Sequence, residues 1–191
     1  MANKGKLIII SAPSGSGKST IIGRIINDPE LRLEFSVSAT TRPPRKGETD
    51  GKEYYFLSEQ QFRDNIAADN FAEYQEVYPG RFYGTLKSEI ERIVSHGNNV
   101  VLDVDVLGGI NVKKIYGEDA LSIFIMAPSV DVLRERLLAR GTDSIDDINK
   151  RVEKAEFETS FAPQFDKCVV NDILETAVAQ ARNVITDFIK Q

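Results

Sequence analysis

The sequence predicts an α/β protein whose mainly parallel sheet carries helices on its faces. Three observations point there. Short branched runs, Leu7-Ile8-Ile9-Ile10, Val100-Val101-Leu102 and Leu121 to Met126, read as strands buried on both sides. Between them lie segments whose apolar residues recur at helical spacing. The two kinds alternate with no repeat, low-complexity tract or linker, the signature of a parallel sheet wrapped by helices.

At 191 residues the chain reads as one domain, or a core with small insertions, long enough to bury a real core. No apolar run could cross a bilayer, and Met1-Ala2-Asn3-Lys4-Gly5-Lys6 leads into a strand and not into an export signal. The expected location is therefore cytoplasmic, with no membrane partner. The single cysteine, Cys168, rules out an internal disulfide and reads as a small buried side chain beside Val169 and Val170. A net charge of −5 argues against broad nucleic-acid affinity. With one His and one Cys, a zinc site of the usual ligands or a Cys/His catalytic pair has little support.

The first strand runs into Ser11-Ala12-Pro13-Ser14-Gly15-Ser16-Gly17-Lys18-Ser19-Thr20, and Ile21, Ile22, Ile25 and Ile26 then share one helix face. Strand, glycine-rich turn and helix is the context in which Gly-Lys-Ser cradles a phosphate. Gly15 and Gly17 let backbone N–H groups turn inward, the helix N-terminus adds partial positive charge, and Lys18 adds a full one. Ser19 is placed to hold a magnesium ion through its hydroxyl. Ala12 stands where the full pattern has glycine, at a strand end that needs only ordinary backbone geometry.

Pro29 closes that helix, and Phe35-Ser36-Val37-Ser38 reads as a second strand. Thr40 to Leu57 is too rich in Pro, Gly and charge for a core element and too long for a turn; such loops are mobile or functional. Ser58 starts a short helix through Phe62 and Ile66. Phe71 to Val77 looks like a strand in which Glu73 shares a face with Phe71 and Val77, so the carboxylate sits at an edge or has a partner. A helix from about Thr85 to His96 buries Leu86, Ile90, Ile93 and Val94 and stops at Gly97, with His96 on the surface.

Val100 to Asp105 reads as a buried strand ending in carboxylates, at the sheet edge where ligands of open α/β sheets collect. Asp103 and Asp105 share a face and can both address one magnesium ion through its waters. For Asp105 a helix cap or turn is the alternative. Ser129 caps the next helix, whose stripe is Val130, Leu133 and Leu137, with Gly141 after its end; Arg136 and Arg140 stack on one face. Ser144 and Asp147 open another helix, with Ile145, Ile148 and Val152 buried and Arg151 nearby. The two helices form a flap bearing three arginines, either a solvated surface or part of a site. A strand around Cys168, then Asn171-Asp172, then a helix carrying Leu174, Val178, Ala181, Ile185 and Phe188 complete the chain.

A phosphate loop and an acidic strand end make a nucleoside triphosphate site without fixing a reaction. The guanine-recognition pattern of small GTPases, Asn-Lys-x-Asp, is broken at Asn149-Lys150-Arg151-Val152. The insertion Thr40-Thr41-Arg42-x-x-Arg45-x-x-Glu48-x-x-Gly51-x-x-Tyr54-x-Phe56-Leu57 resembles the guanylate kinase signature at every constrained position. The resemblance extends to the loop after Ser11, Tyr83-Gly84-Thr85, the two aspartates, Arg140-Gly141-Thr142 and Val170-Asn171-Asp172, and so spans nearly the whole chain.

That resemblance implies a single domain, 1–191, with a P-loop three-layer fold around a central, mainly parallel five-stranded sheet. Its core would be 1–33, 98–128 and 165–191, with a small α+β GMP-binding region at 34–97 and a lid with its following helix at 129–164. It implies an enzyme that phosphorylates GMP, and dGMP, with ATP and Mg2+, in purine nucleotide metabolism. Lys18, Arg42, Arg136, Arg140 and Arg151 would be catalytic. ATP would lie on Ala12, Pro13, Ser14, Gly15, Ser16, Gly17, Lys18, Ser19 and Thr20, with Asn171 near the adenine. Arg42, Arg45, Tyr54 and Tyr83 would hold the GMP phosphate, while Ser38, Glu73 and Thr85 read the guanine and Asp103 adds to that site. Thr85 stands where many relatives have serine and keeps the hydroxyl. The alternative is a guanylate-kinase-like module that binds phosphorylated peptides without catalysis; such modules typically lose the phosphate loop, which is intact here. The oligomeric state is left open.

Overall fold

The buried run Leu7–Ser11 forms β1, the middle strand of a five-stranded parallel sheet. Its neighbours are β7 (Asn99–Asp103) and β8 (Ala120–Met126), and the edges are β2 (Leu33–Phe35) and β9 (Lys167–Val170). The structure, a computed structural model, describes residues 4–141 and 144–191, without the Arg140 side chain. The two-residue period of β1 sorts its side chains between two apolar layers. Ile8 and Ile10 pack with Ile21, Ile22 and Ile25 of α1 (Lys18–Ile25) and with Ala177, Ala181 and Ile185 of α7 (Leu174–Ile189). Leu7 and Ile9 pack on the other face with Ile90, Ile93 and Val94 of α3 (Lys87–Ser95).

The segment after β2 is not one strand, contrary to the reading of Phe35 to Ser38. β2 ends at Phe35, and the chain crosses to a separate four-stranded sheet, where β3 (Ala39–Thr40) begins. A run of strand formers spans the gap because its residues still find backbone partners: Ser36 N–H reaches Val101 O at 3.1 Å. The second sheet has the order β4-β3-β6-β5, with β4 (Tyr55–Phe56), β5 (Phe71–Tyr78) and β6 (Arg81–Leu86). Strand β6 was not read from the sequence, and it ends the expected helix at its front: Thr85 and Leu86 are strand, so α3 starts at Lys87. Helix α2 (Glu59–Ala67) opens with a capping box between Ser58 and Gln61 and buries Phe62 against Phe71 and Phe82, with ring centroids 4.3 and 5.2 Å apart.

The face expected for Glu73 also changes. Phe71 pairs with Leu86 but Glu73 with Thr85, so a bulge at Ala72 breaks the alternation, and a second irregularity lies between Glu76 and Tyr78. Phe71 joins the small core around Phe62, Val77 is exposed, and Glu73 turns toward the central sheet's carboxyl edge.

Strand β7 stops at Asp103, two residues earlier than expected, so Asp103 and Asp105 do not share a strand face; Asp105 takes its alternative role as a helix cap, at the start of α4 (Val106–Tyr116). Its Oδ1 accepts the Gly108 N–H at 2.7 Å. Gly108-Gly109 hid this helix from a propensity reading. The cause is close packing: a Cβ at Gly109 would meet Ser11 Oγ at 2.6 Å, and one at Gly108 would meet both Asp105 Oδ1 and Glu73 Oε2 at 3.1 Å.

Helices α5 (Val130–Arg140) and α6 (Ile145–Thr159) pair through Leu133, Leu137, Ile148, Val152 and Ala155. Ser129 and Ser144 cap them as expected, and Gly141 ends α5 at φ +63°. Ile145, expected in the core, is exposed in the first turn of α6. Thr142 and Asp143, part of the expected flap, lie outside the described residues. Cys168 is exposed, not buried, because β9 is an edge strand and only Val169 of the run faces the core.

Candidate active site

The loop between β1 and α1 takes its shape from two glycines. Gly15 and Gly17 have φ of +92° and +89°, left-handed backbone that favours glycine, and Gly17 is the N-cap of α1. A Cβ at Gly17 would also run into the side-chain amide of Asn171. That amide is buried and donates to Ser16 O at 2.8 Å, so Asn171 braces the loop from behind. Arg136 in turn donates from Nη2 to Asn171 O at 2.9 Å, while its Nη1 is buried with no partner among the described residues.

Lys18 forms an ion pair with Asp103 across the mouth of a cavity of about 390 Å3. The cavity is lined by the loop from Ala12 to Thr20 except Ser16, and by Asp103, Val104, Asp105, Arg151, Lys154 and Glu158. β1 leads into the loop, β7 ends in Asp103 and Asp105 caps α4, so the site lies at the carboxyl edge of adjacent parallel strands. Arg151, Lys154 and Glu158 come from one face of α6, at helical spacing. The last two went unnoticed in the sequence, although that spacing was a usable signal. Glu158 is only 13% exposed; burial pushes its carboxyl up, and Lys154 at 3.6 Å partly offsets this.

A second cluster forms on the four-stranded sheet. Arg42, 6% exposed, donates to both oxygens of Glu48 at 2.9 Å and lies over the rings of Tyr54 and Phe56, 5.2 and 5.7 Å from their centroids. Tyr54 and Tyr83 meet edge to face at 6.0 Å. The Glu48 carboxylate, and after it the Tyr83 phenol, hold the Arg42 guanidinium even more firmly protonated than usual. Arg42 and the Arg45 N–H at 2.6 Å lower the Glu48 carboxyl to about 2. Glu48 is part of the sequence signature, but nothing in its spacing announced that it would grip Arg42. Arg45 bonds the cluster through its backbone N–H; its side chain is exposed and acts on Glu48 through its charge.

Glu73 Oε1 accepts the Thr85 hydroxyl at 2.7 Å, and its Oε2, like Asp105 Oδ1, lies against Gly108. Burial pushes the Glu73 carboxyl up; the Thr85 hydroxyl pulls it down and the Asp105 charge adds to the rise. Ser38 stands at the start of the insertion, its carbonyl accepting the Tyr55 N–H at 2.9 Å. Thus Ser19, Asp103, Asp105 and Arg151 gather with Lys18, and Tyr54 and Tyr83 gather with Arg42. The Arg140 side chain lies outside the described residues.

The glycine loop with Lys18 and the separate arginine–tyrosine cluster can each hold an anionic group, and comparison with known proteins places the chain in a family. The guanylate kinase family model matches residues 4–188. The chain belongs to the guanylate kinase family. The guanylate kinase of Bacteroides fragilis is 57% identical over 186 residues, 97% of this chain and 91% of that one. That of Porphyromonas gingivalis is 56% identical over 184 residues, 96% and 98% of the two chains. A crystal structure of guanylate kinase from Anaplasma phagocytophilum superposes with a TM-score of 0.74 at 29% identity, over 99% of this chain and 88% of that one. The activity is that of the family: a nucleoside monophosphate kinase, a transferase that phosphorylates GMP with ATP. These relatives carry the enzyme's name, and none of them supports the non-catalytic module. Among the described residues, no helix is long and apolar enough to cross a membrane.

Proposed function

We propose that the loop cavity holds the triphosphate of ATP and the arginine–tyrosine cluster holds GMP, with Glu73 choosing the base. The observation that carries this division is that Lys18 and Arg151 line one cavity while Arg42 and its phenols form a second cluster, with the half-buried Glu73 tied to Thr85 on β6 and set against Gly108 of α4. Guanine offers N1–H and N2–H to an acceptor, and Glu73, steadied by Thr85, accepts both. Adenine offers neither in that arrangement and would leave the half-buried carboxylate with the Thr85 bond alone. In the phosphate pocket Arg42 supplies a planar fork already oriented by Glu48, Tyr54 and Tyr83 supply hydroxyls, and Arg45 swings in from the surface.

The acceptor phosphate has a second pKa near about 6 and is largely a dianion at neutral pH, so no general base is needed. The work is alignment and charge neutralisation. Lys18, Arg151, Arg136 and Arg140 meet the charge that spreads over the moving phosphoryl group. Closure of α5 and α6 excludes the water that would turn transfer into ATP hydrolysis. Asn171 holds the phosphate loop in shape while its neighbourhood takes the adenine. The Ser19 hydroxyl and the carboxylates of Asp103 and Asp105 line the same cavity, and hard oxygens of this kind suit magnesium bound partly through water. Ser19 would hold Mg2+ directly and Asp103 through water, as would the Asp105 oxygen left free by the α4 cap. Bound there with ATP, Mg2+ supplies charge neutralisation at the phosphates. In this division 34–97 is the GMP-binding region, 129–164 the lid and its following helix, and the rest the core. The setting that fits is the cytoplasm, with dGMP a second acceptor in purine nucleotide metabolism.

Coupled ADP-release assays with GMP, dGMP, AMP, CMP and UMP test the base assignment. GMP is expected to be the best acceptor, dGMP to follow and AMP to be poor; equal rates with AMP and GMP refute the role of Glu73. Arg42→Ala is expected to weaken GMP binding roughly 10- to 100-fold, a charge-assisted bond being worth about 1.5–3 kcal/mol. Isothermal titration with GMP checks it, and unchanged affinity reduces Arg42 to a structural partner of Glu48.

A further inference from the structure

Outside both substrate clusters lies a carboxylate buried more deeply than any other acid of the described chain. Glu89, in the first turn of α3, is 3% exposed. A glutamate there is expected to face solvent and the helix dipole. Instead all its lone pairs point at donors. Oε1 accepts the Val37 N–H at 3.2 Å and Arg92 Nη2 at 3.0 Å; Oε2 accepts the Tyr55 hydroxyl at 3.0 Å and Arg92 Nε at 2.9 Å. Arg92 continues to Glu34 on β2 at 2.7 Å.

These partners mark the root of the insertion. Val37 belongs to the segment that leaves the central sheet for the second one, and it precedes Ser38. Tyr55 follows Tyr54 and pairs with Ala39, and its N–H bonds Ser38 O. Helix α3 itself packs on the core and continues directly from β6, which carries Tyr83 and Thr85. One carboxylate therefore fixes the connections on which the base-reading and phosphate-binding residues are mounted. A buried charge that merely stabilised the fold gains little over an apolar residue of similar volume, whereas a charge with four directed donors sets geometry.

We propose that Glu89 is a positioning residue for the acceptor nucleotide, holding Val37 and Tyr55 so that Ser38 and Tyr54 stand in register for GMP. The proposal rests on the GMP-pocket reading given above. Tyr55→Phe removes one donor and keeps the ring; Glu89→Gln keeps the shape and removes the charge. For Tyr55→Phe the expected result is a rise in KM for GMP of roughly fivefold, with KM for ATP and kcat within about twofold. For Glu89→Gln the same split is expected with a rise of roughly tenfold or more. Thermal melts identify any variant that fails to fold, and Tyr55→Phe then decides the matter alone. Equal changes in both KM values, or a fall in kcat with KM for GMP unchanged, overturn the proposal. Arg42→Ala separates the two readings. If it weakens GMP binding while the Glu89 and Tyr55 variants do not, the positioning role alone fails. If Arg42→Ala also leaves GMP binding intact, the pocket assignment fails with it.

Discussion

Lys18→Ala is expected to reduce phosphoryl transfer by roughly a thousandfold or more while leaving the affinity for GMP within about twofold. Removing one preorganised donor from a developing anion typically lowers kcat by about 10²–10³, and Lys18 carries a full charge at the helix N-terminus as well. Its side chain lines the phosphate-loop cavity and pairs with Asp103, on the central sheet, whereas Tyr83 is in the other sheet and Arg42 and Tyr54 flank its strands. The loop backbone owes its shape to Gly15, Gly17 and the Asn171 brace, none of which the substitution touches. Steady-state kinetics and GMP titration on the folded variant check both parts. Loss of GMP binding would count against two separate substrate sites.

Glu73→Gln is expected to lower GMP affinity about 100-fold and to raise the melting temperature of the ligand-free protein at neutral pH. The affinity falls because the glutamine side chain offers one acceptor where guanine presents two donors, and its NH₂ meets a donor. The stability rises because burial pushes the Glu73 carboxyl above its ordinary 4.5. A carboxyl with a raised folded-state pKa favours the fold most when protonated; that contribution is complete below the ordinary value and is lost as pH rises through the raised one. The melting advantage of glutamine should therefore vanish in acid and grow toward neutral pH. In the parent protein GMP binding should weaken as pH falls through the same raised value, as the acceptor becomes protonated. Calorimetry and GMP titration across that range are the checks. A glutamine variant less stable than the parent at neutral pH would show that the Thr85 bond outweighs the burial.

The two glutamates illustrate opposite uses of the same side chain. At Glu89 the Arg92, Val37 and Tyr55 donors overcome desolvation and hold the carboxyl below its ordinary range, while at Glu73 burial dominates. The first is saturated with partners inside the protein and serves geometry. The second has the Thr85 hydroxyl and an acidic neighbour, Asp105, and retains the acceptor capacity with which a ligand can be chosen.

Features that depend on local backbone and spacing were legible in the residues alone. The phosphate loop was legible because glycines at Gly15 and Gly17 answer a dihedral requirement, and the caps at Ser129 and Ser144 because a side chain reaches its own helix. The parallel sheet was legible because strands buried on both faces read as unbroken apolar runs. Family resemblance then named Arg42, Tyr54, Tyr83 and Glu73. What only the tertiary structure decided depends on contacts between distant segments. Helix α4 carries Gly108 and Gly109 because Ser11, Asp105 and Glu73 crowd the space that side chains there would take. The bulge at Ala72 turns Glu73 away from the face that strict alternation assigned to it. Glu48 grips Arg42, Glu158 closes on the loop cavity and Glu89 ties the insertion to the core. Each of these acids takes its role from a donor or cavity outside its own turn of chain, and no local pattern encodes which partner a fold will bring to a carboxylate.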